Sequence, residues 1–400
     1  MKKLGFGTMR LPIADNDDPT SIIQDEVDMM VDTFIENGFT YFDTAYSYHN
    51  GTSEVALNKA LIERYPRESY IIADKLPIFM ITKQEELEPI FEEQFERLGV
   101  DYIDYYLMHN VSGLSEAGFI DVNSFEFAKK KKEEGYIKKL GISSHANAEY
   151  LDNILNQHPD MDFIQLQINY LDWENDVIQA RKCYEVARKH DLEIVVMEPL
   201  KGGFLANVPE EAEKLMRDYN GQSPVEWALR FVAGLDGVFM VLSGMSSQKQ
   251  VAENVKIFDD IKPLNDEEHE ILKEVVKIIN ENKPLNDEEH EILKEVVKII
   301  NENIAVECTG CNYCINSCPE NILIPEVFDM YNLEMIDNKK RFTAVVNAYV
   351  NYAKEAKHGL ASDCIKCGSC VSQCPQHINI PEELEKVKDT FETPFESFYN

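Results

Sequence analysis

No run in this chain approaches the roughly 20 consecutive apolar residues that a membrane span requires, so no spanning segment is expected. The opening Met1-Lys2-Lys3-Leu4-Gly5 leads into a glycine-broken stretch without the apolar core of an export signal. Positive charge is scarce as well: Lys and Arg number 39 against 72 Asp and Glu, a formal charge of −33. Binding to nucleic acid or to an anionic membrane would require cations to neutralise phosphates, so neither partner is expected. A glycine-rich phosphate turn is missing too. Gly5-Phe6-Gly7 is followed by Thr8-Met9-Arg10, without the third glycine that a dinucleotide-binding open sheet carries after its first strand.

Cysteine, by contrast, is concentrated. Of nine cysteines, eight fall into two copies of one pattern, Cys308-x-x-Cys311-x-x-Cys314-x-x-x-Cys318-Pro319 and Cys364-x-x-Cys367-x-x-Cys370-x-x-x-Cys374-Pro375. This is the bacterial two-cluster run, in which each copy supplies thiolates to a 4Fe-4S cluster and the fourth cysteine ligates the other cluster. Zinc knuckles pair Cys-x-x-Cys units and do not add a third cysteine at the same interval. Disulfides would need an oxidising compartment. The expectation is two 4Fe-4S clusters in a soluble, cytoplasmic protein. Cys183 stands alone in a helical stretch and reads as a buried small apolar residue.

At 400 residues the chain can hold a large domain and a smaller one. Before the cysteines, short β-branched runs alternate with helical segments. The candidate strands are 4–8, 41–44, 70–75, 105–109, 139–143, 163–169, 193–199 and 238–244, and between them segments such as 86–98 place apolar residues every three or four positions. Eight such units predict a TIM (β/α)8 barrel over residues 1–261, with a doubly wound sheet as the alternative weakened by the missing glycine.

Residues 262–282, KPLNDEEHEILKEVVKIINEN, recur letter for letter over 283–303. Each copy predicts one helix, with Asn265 or Asn286 as N-cap, Glu268 or Glu289 closing a capping box, and Pro284 stopping the first before the second. Two copies are too few for a solenoid, so the expectation is a duplicated helical linker without chemistry. Residues 304–400 form the cluster domain, in which Cys318-Pro319-Glu320-Asn321-Ile322-Leu323-Ile324-Pro325-Glu326 is answered by Cys374-Pro375-Gln376-His377-Ile378-Asn379-Ile380-Pro381-Glu382. With 328–356 reading as helix, this domain is expected to be small and mainly α-helical.

In the barrel, Asp43 and Lys75 fall at or near the ends of the second and third candidate strands, His109 ends the fourth, and Tyr48 follows in the loop after Asp43. Barrel enzymes hold their active sites at that C-terminal rim. A tyrosine needs help to act as a general acid at neutral pH. A Lys75 cation would favour the phenolate, Asp43 would hold Lys75, and His109 could donate to a carbonyl oxygen.

At these residues the chain resembles the aldo-keto reductases, over essentially residues 1–260. The stretches that carry the resemblance are Gly5-Phe6-Gly7-Thr8-Met9-Arg10-Leu11, Phe42-Asp43-Thr44-Ala45-x-x-Tyr48, Asp74-Lys75-Leu76, Leu107-Met108-His109, Gly141-Ile142-Ser143, Gln165, Glu198-Pro199-Leu200-Lys201-Gly202-Gly203 and Ala252-Glu253-Asn254. The resemblance implies an oxidoreductase acting on a small carbonyl or alcohol, with a catalytic tetrad of Asp43, Tyr48, Lys75 and His109 and a nicotinamide as hydride donor. It further implies that Ser143 and Gln165 fix the carboxamide and ring, that Leu200, Gly202 and Gly203 approach the pyrophosphate, and that Glu253 and Asn254 lie against the adenine. Where members that use NADP carry a Lys-Ser pair and a downstream Arg, this chain reads Ser243-Gly244-Met245-Ser246-Ser247-Gln248-Lys249-Gln250. Without that fork the 2′-phosphate loses charge-assisted hydrogen bonds of roughly 1.5–3 kcal/mol each, so NAD and NADP both remain open.

A nicotinamide moves two electrons and a 4Fe-4S cluster one; joining them normally takes a carrier such as a flavin, for which no fingerprint is visible. Three readings follow. The clusters serve an external partner such as a ferredoxin, or they are structural or redox-sensing beside an independent barrel, or the whole is a non-catalytic electron-transfer module. Retention of all four tetrad residue types counts against the last.

Overall fold

The structure is a computed structural model that describes residues 2–115, 119–120, 122–281, 304–336, 349, 352 and 358–392. The chain divides into two compact units, Met1–Asn282 and Lys283–Asn400.

In the first unit the strands are β1 (Leu4–Gly7), β2 (Ile13–Asp15), β3 (Asp18–Ile22), β4 (Tyr41–Asp43), β5 (Ile71–Leu76), β6 (Ile103–Met108), β7 (Ile137–Ser144), β8 (Phe163–Gln167), β9 (Glu193–Met197) and β10 (Val238–Gly244). Apart from β2 and β3 they form a closed barrel in which each parallel strand pairs with the next and β10 returns to β1. The helices are α1 (Gln24–Glu36), α2 (Thr52–Leu57), α3 (Leu87–Leu98), α4 (Ser124–Glu133), α5 (Ala148–Gln157), α6 (Ala180–Lys189), α7 (Glu210–Asn220), α8 (Pro224–Ala233), α9 (Gln248–Asp259) and α10 (Asp266–Asn280). This is the predicted TIM barrel, and each of the eight expected strands is present within about three residues of its expected bounds.

The strands read as continuous apolar runs because both faces are buried. Tyr41, Ala73, Tyr105, Leu107, Phe163, Val195 and Met240 make one cluster, while the alternate residues Phe42, Ile72, Tyr106, Ile164 and Val196 join the larger core shared with the helices. Gly141 has no room for a side chain: a Cβ there would stand 2.5 Å from the Phe163 carbonyl oxygen on the neighbouring strand.

The hairpin β2–β3 was not foreseen. Its sequence around Asp15, Asp17, Asp18 and Pro19 has no apolar alternation, and it is an exposed two-stranded ribbon, where Pro is tolerated. His49 ties it down: Leu11 N–H donates to Nε2 at 3.2 Å, which leaves Nδ1–H to donate to the Pro19 carbonyl at 2.8 Å.

The expected linker over 262–303 is divided differently. The first copy of the repeat forms α10, which packs on α7 and places Leu272 and Val275 in the barrel's own core. Its predicted capping box is present, with Glu268 N–H on Asn265 Oδ1 at 2.9 Å and Asn265 N–H on Glu268 Oε2 at 2.8 Å. The same carboxylate receives Arg230 of α8 through two bonds of 2.6 and 2.8 Å. Residues 262–281 therefore belong with the barrel. The second copy, with Pro284, Asn286 and Glu289, lies outside the described residues.

In the second unit, helices Ile324–Ile336 and Ile380–Phe391 begin at the two Ile-Pro-Glu triplets, Pro being at home in a helix's first turn. The first begins four residues before the expected 328, and most of 337–356 lies outside the described residues. Ile322, Ile324, Val327, Phe328, Ile380, Leu384 and Val387 bury a small core together with Cys314 and Cys370. Among the described residues no helix is long and apolar enough to cross a membrane.

Candidate active site and cluster cradles

Strand alternation puts the barrel's ionisable residues on its inner face. Asp43 shares a face with Tyr41, and Lys75 with Ala73, because side chains two apart along a strand point the same way. Lys75 is fully buried and donates to Asp43 Oδ1 and to the Thr44 carbonyl, both at 2.6 Å. Its Nζ lies 4.8 Å from the centroid of the Tyr48 ring. The His109 ring meets Tyr48 edge-on at 5.9 Å between centroids and Phe79 at 5.3 Å. The four residues singled out in the sequence thus converge.

Their protonation follows from what surrounds them. Burial favours the neutral form of Lys75, but the Asp43 carboxylate outweighs it and holds the ammonium above the usual lysine range. Burial raises the Tyr48 phenol; Lys75 pulls it down and Asp43 pushes it up, with a net rise. Lys75 therefore acts in the expected direction without setting the outcome. Burial, with the Lys75 charge nearby, lowers His109 well below the ordinary histidine range, so its imidazole is neutral. Its Nδ1 is buried and finds no hydrogen-bond partner among the described residues.

A second polar layer under Lys75 was not foreseen. Asp74 accepts the Lys75 N–H at 2.8 Å, and Gln94 of α3 donates to Asp74 Oδ2 at 2.8 Å and to the Lys75 carbonyl at 3.0 Å. Burial and the neighbouring Glu54 push Asp74 well above the carboxylate range. This layer fixes the backbone that carries Lys75.

Asp43, Tyr48, His109, Ser143, Gln165, Leu200, Gly202, Gly203, Glu253 and Asn254 all line one cleft of about 1130 Å³, with Lys75 behind Asp43. Ser143 Oγ accepts the Asn110 N–H at 2.9 Å, tying the loop after β6 to the end of β7 while its own O–H remains available to donate. Gln165 Nε2 points at Met197 Sδ at 3.6 Å, and its Oε1 is buried with no hydrogen-bond partner among the described residues. An unpaired buried acceptor costs free energy unless a ligand donor meets it, and the amide of a nicotinamide is such a donor. Gly202 and Gly203 adopt φ of 65° and 98°, and a Cβ on Gly203 would meet nothing within 4 Å, so the turn presents bare backbone. Asn254 directs its amide to Ser243 Oγ at 2.9 Å, and Glu253 stands 3.8 Å from Lys249.

Arg10 was missed in the sequence. A Cβ on Gly244 would stand 3.2 Å from Arg10 Cδ and one on Gly202 3.5 Å from Arg10 Nη2, so its side chain runs from the end of β10 to the glycine turn after β9. It is exposed, lines the cleft, and has no ion-pair or hydrogen-bond partner among the described residues. Only the closure of β10 onto β1 brings it there.

The second unit holds two cradles. One is bordered by Cys308, Cys311, Cys314 and Cys374, the other by Cys364, Cys367, Cys370 and Cys318. Each therefore takes three thiols from one run and the fourth from the other. Among the described residues no three His, Cys, Asp or Glu side chains converge on the position of a single ion; the thiols instead surround a space floored by Ile324, Phe328, Ile380 and Leu384, which suits a group larger than one ion. Cys183 is buried in the barrel core, its Sγ 3.5 Å from the Ala146 carbonyl, and burial pushes its thiol up to about 11.

Comparison with known proteins agrees with this geometry. The aldo/keto reductase family model matches residues 3–277 and a 4Fe-4S dicluster domain matches residues 300–375. The chain belongs to the aldo/keto reductase family. Among curated relatives, an aldo-keto reductase of Mycolicibacterium vanbaalenii is 28% identical over 235 residues, 58% of this chain and 78% of that one. The NADH-specific methylglyoxal reductase of Escherichia coli is 26% identical over 276 residues, 56% and 81% respectively. Among solved structures, the holo form of an aldo-keto reductase from Bacillus halodurans superposes with a TM-score of 0.56 at 25% identity, covering 68% of this chain and 91% of that one. A Klebsiella pneumoniae aldo-keto reductase in complex with NADPH gives 0.54 at 20% identity, covering 70% and 92%, a likeness of fold. This aldo/keto reductase is thus an oxidoreductase barrel followed by a 4Fe-4S dicluster domain.

Proposed function

We propose that this aldo/keto reductase reduces small aldehydes or ketones, or oxidises the matching alcohols, with Tyr48 as the proton donor or acceptor. The observation that carries the reading is the buried Lys75–Asp43 pair at 2.6 Å beneath Tyr48, in the cleft that also holds His109 and the unpaired Gln165 Oε1. A nicotinamide, when bound, supplies or accepts hydride at the carbonyl carbon. Tyr48 protonates the oxygen that becomes an oxyanion, Lys75 offsets the phenolate left behind, and neutral His109 donates one N–H to the same oxygen. Ser143 and Gln165 hold the carboxamide, Leu200, Gly202, Gly203 and Arg10 the pyrophosphate, and Glu253 and Asn254 the adenine end. Either nicotinamide serves, because the stretch 243–250 lacks the Lys-Ser pair and downstream Arg found in members that use NADP.

Cys308, Cys311, Cys314 and Cys374 would hold one 4Fe-4S cluster and Cys364, Cys367, Cys370 and Cys318 the other, which would supply single-electron exchange with a ferredoxin or similar redox protein in the cytoplasm. The test is anaerobic turnover of the full chain against aldehydes and ketones with NADH, NADPH and a reduced one-electron donor. Tyr48→Phe should retain dinucleotide binding and lose roughly 10² to 10⁴ in turnover, the contribution of a positioned acid. A full rate in that variant sinks the tyrosine mechanism. Iron and acid-labile sulfide should each approach about eight per chain; stoichiometric zinc without sulfide would end the cluster reading.

A further inference from the structure

A second histidine lines the cleft, and the proposed chemistry gives it no task. His145 follows β7 and is exposed to the cleft shared by Tyr48, His109 and Asn110. Its orientation is set by a chain of polar groups crossing the ends of β8 and β9. Lys201 donates to Asp172 Oδ1 at 2.5 Å. Burial works against the charge on Asp172, but hydrogen bonds from Lys201, Asn169 and Gln167 outweigh it and hold the carboxyl below the usual range. Its Oδ2 accepts Gln167 Nε2 at 3.0 Å and Asn169 Nδ2 at 2.8 Å.

An ionised carboxylate can only accept, so Gln167 must turn its NH₂ toward Asp172 and its carbonyl the other way. There, Gln167 Oε1 lies 3.0 Å from His145 Nδ1. An amide oxygen is also only an acceptor, so Nδ1 carries the proton. In the neutral imidazole, Nε2 is left with a lone pair and no hydrogen.

We propose that His145 is a substrate-recognition residue whose Nε2 accepts a hydrogen bond from a hydroxyl of the substrate, which makes hydroxyaldehydes and hydroxyketones the preferred substrate class. The inference rests on carbonyl reduction at Tyr48 and adds what lies beside the reacting carbonyl. A substrate with an alkyl group in the hydroxyl's place leaves Nε2 to water and forgoes one neutral hydrogen bond. One with a second carbonyl there sets lone pair against lone pair. Because Lys201 sits in the loop that carries Leu200, Gly202 and Gly203, the chain also links the acceptor to the segment assigned to the pyrophosphate.

The test uses the full chain under anaerobic conditions and matched substrates that exchange hydroxyl for methyl: hydroxyacetone against 2-butanone, and glycolaldehyde against propanal. The wild type should favour the hydroxylated member of each pair by about three- to tenfold in kcat/KM, the span of one neutral hydrogen bond, and mostly through KM. In His145→Leu the ratio should fall to about one. In Gln167→Leu, which keeps the imidazole but frees its tautomer, it should fall part of the way, an effect a merely structural histidine would not produce. His145 is exposed, so His145→Leu should not alter thermal unfolding of the barrel. A wild type that turns over both members equally, or a preference that survives His145→Leu, overturns this inference while leaving carbonyl reduction standing. A wild type that reduces none of the four with either nicotinamide overturns the Tyr48 reading and this inference with it.

Discussion

At the rim of the barrel, Asp43, Lys75 and His109 come from the ends of three successive strands and meet only through parallel register, whereas each cradle in the C-terminal unit draws three thiols from one short stretch, 308–314 or 364–370. The barrel's groups are held by its own hydrogen bonds: Lys75 by Asp43 and Thr44, its backbone by Asp74 and Gln94. The cradles hold their thiols around a space, over a small core into which Cys314 and Cys370 themselves pack. A preorganised polar site keeps its shape without its ligand, while a small metal-binding domain couples binding to folding. Damage in the barrel should therefore remove carbonyl chemistry and spare the clusters, and damage in the cradles should remove clusters and spare the barrel.

Lys75→Met is the sharpest challenge to the first half of that contrast. Turnover should fall by about 10² to 10⁴, and because the change leaves the Asp43 carboxylate buried without its cation it should also cost about 3–5 kcal/mol of stability. Anaerobic kinetics and thermal unfolding read the two effects; a variant that stays fast would show that the ion pair is structural only. Glu268→Ala comes next, since it leaves Arg230 without its bidentate partner and removes one arm of the α10 capping box, with an expected loss of about 3 kcal/mol in barrel unfolding. Arg10→Gln should leave unfolding unchanged and weaken NADH and NADPH alike by about 10- to 100-fold in a binding titration, as expected for a lost charge-assisted contact. A loss confined to NADPH would move Arg10 to the 2′-phosphate.

Cys318→Ala tests the second half. Iron should fall from about eight to about four per chain, the lost cluster being that of the 364–370 run, while carbonyl turnover persists. Loss of the 308–314 cluster instead would refute the exchange of fourth ligands. The smallest effect belongs to pH. Burial raises Tyr48, so the phenol stays protonated to higher pH than usual, and burial lowers His109, so it stays neutral to lower pH. The reductive rate should accordingly show no His109 limb near about 6.5 and decline only above about 10. A tyrosine limb in the neutral range of the pH–rate profile would show that Lys75 prevails over burial.

The strands of the barrel were legible because residues buried on both faces must be apolar throughout, and the cysteine runs because their spacing is a local property. The hairpin β2–β3 was not, since its polar residues and Pro19 carry no periodic signal and it is held from outside by His49. The repeat was misleading for a different reason. Identical copies offer no local clue that one of them belongs to the barrel, where Arg230 receives Glu268 and Leu272 enters the core.

By itself the sequence determined which residues share a strand face, where a helix is capped at Asn265, and which thiols could share a cluster, all of them matters of interval along the chain. Tertiary structure alone decided the rest: that Arg10 spans from Gly244 to Gly202, that Asp74 and Gln94 brace Lys75, that burial outweighs Lys75 in the acidity of Tyr48, and that Gln167 selects the tautomer of His145. Each depends on distance and water exclusion between groups remote in the chain, and spacing along the chain does not encode either.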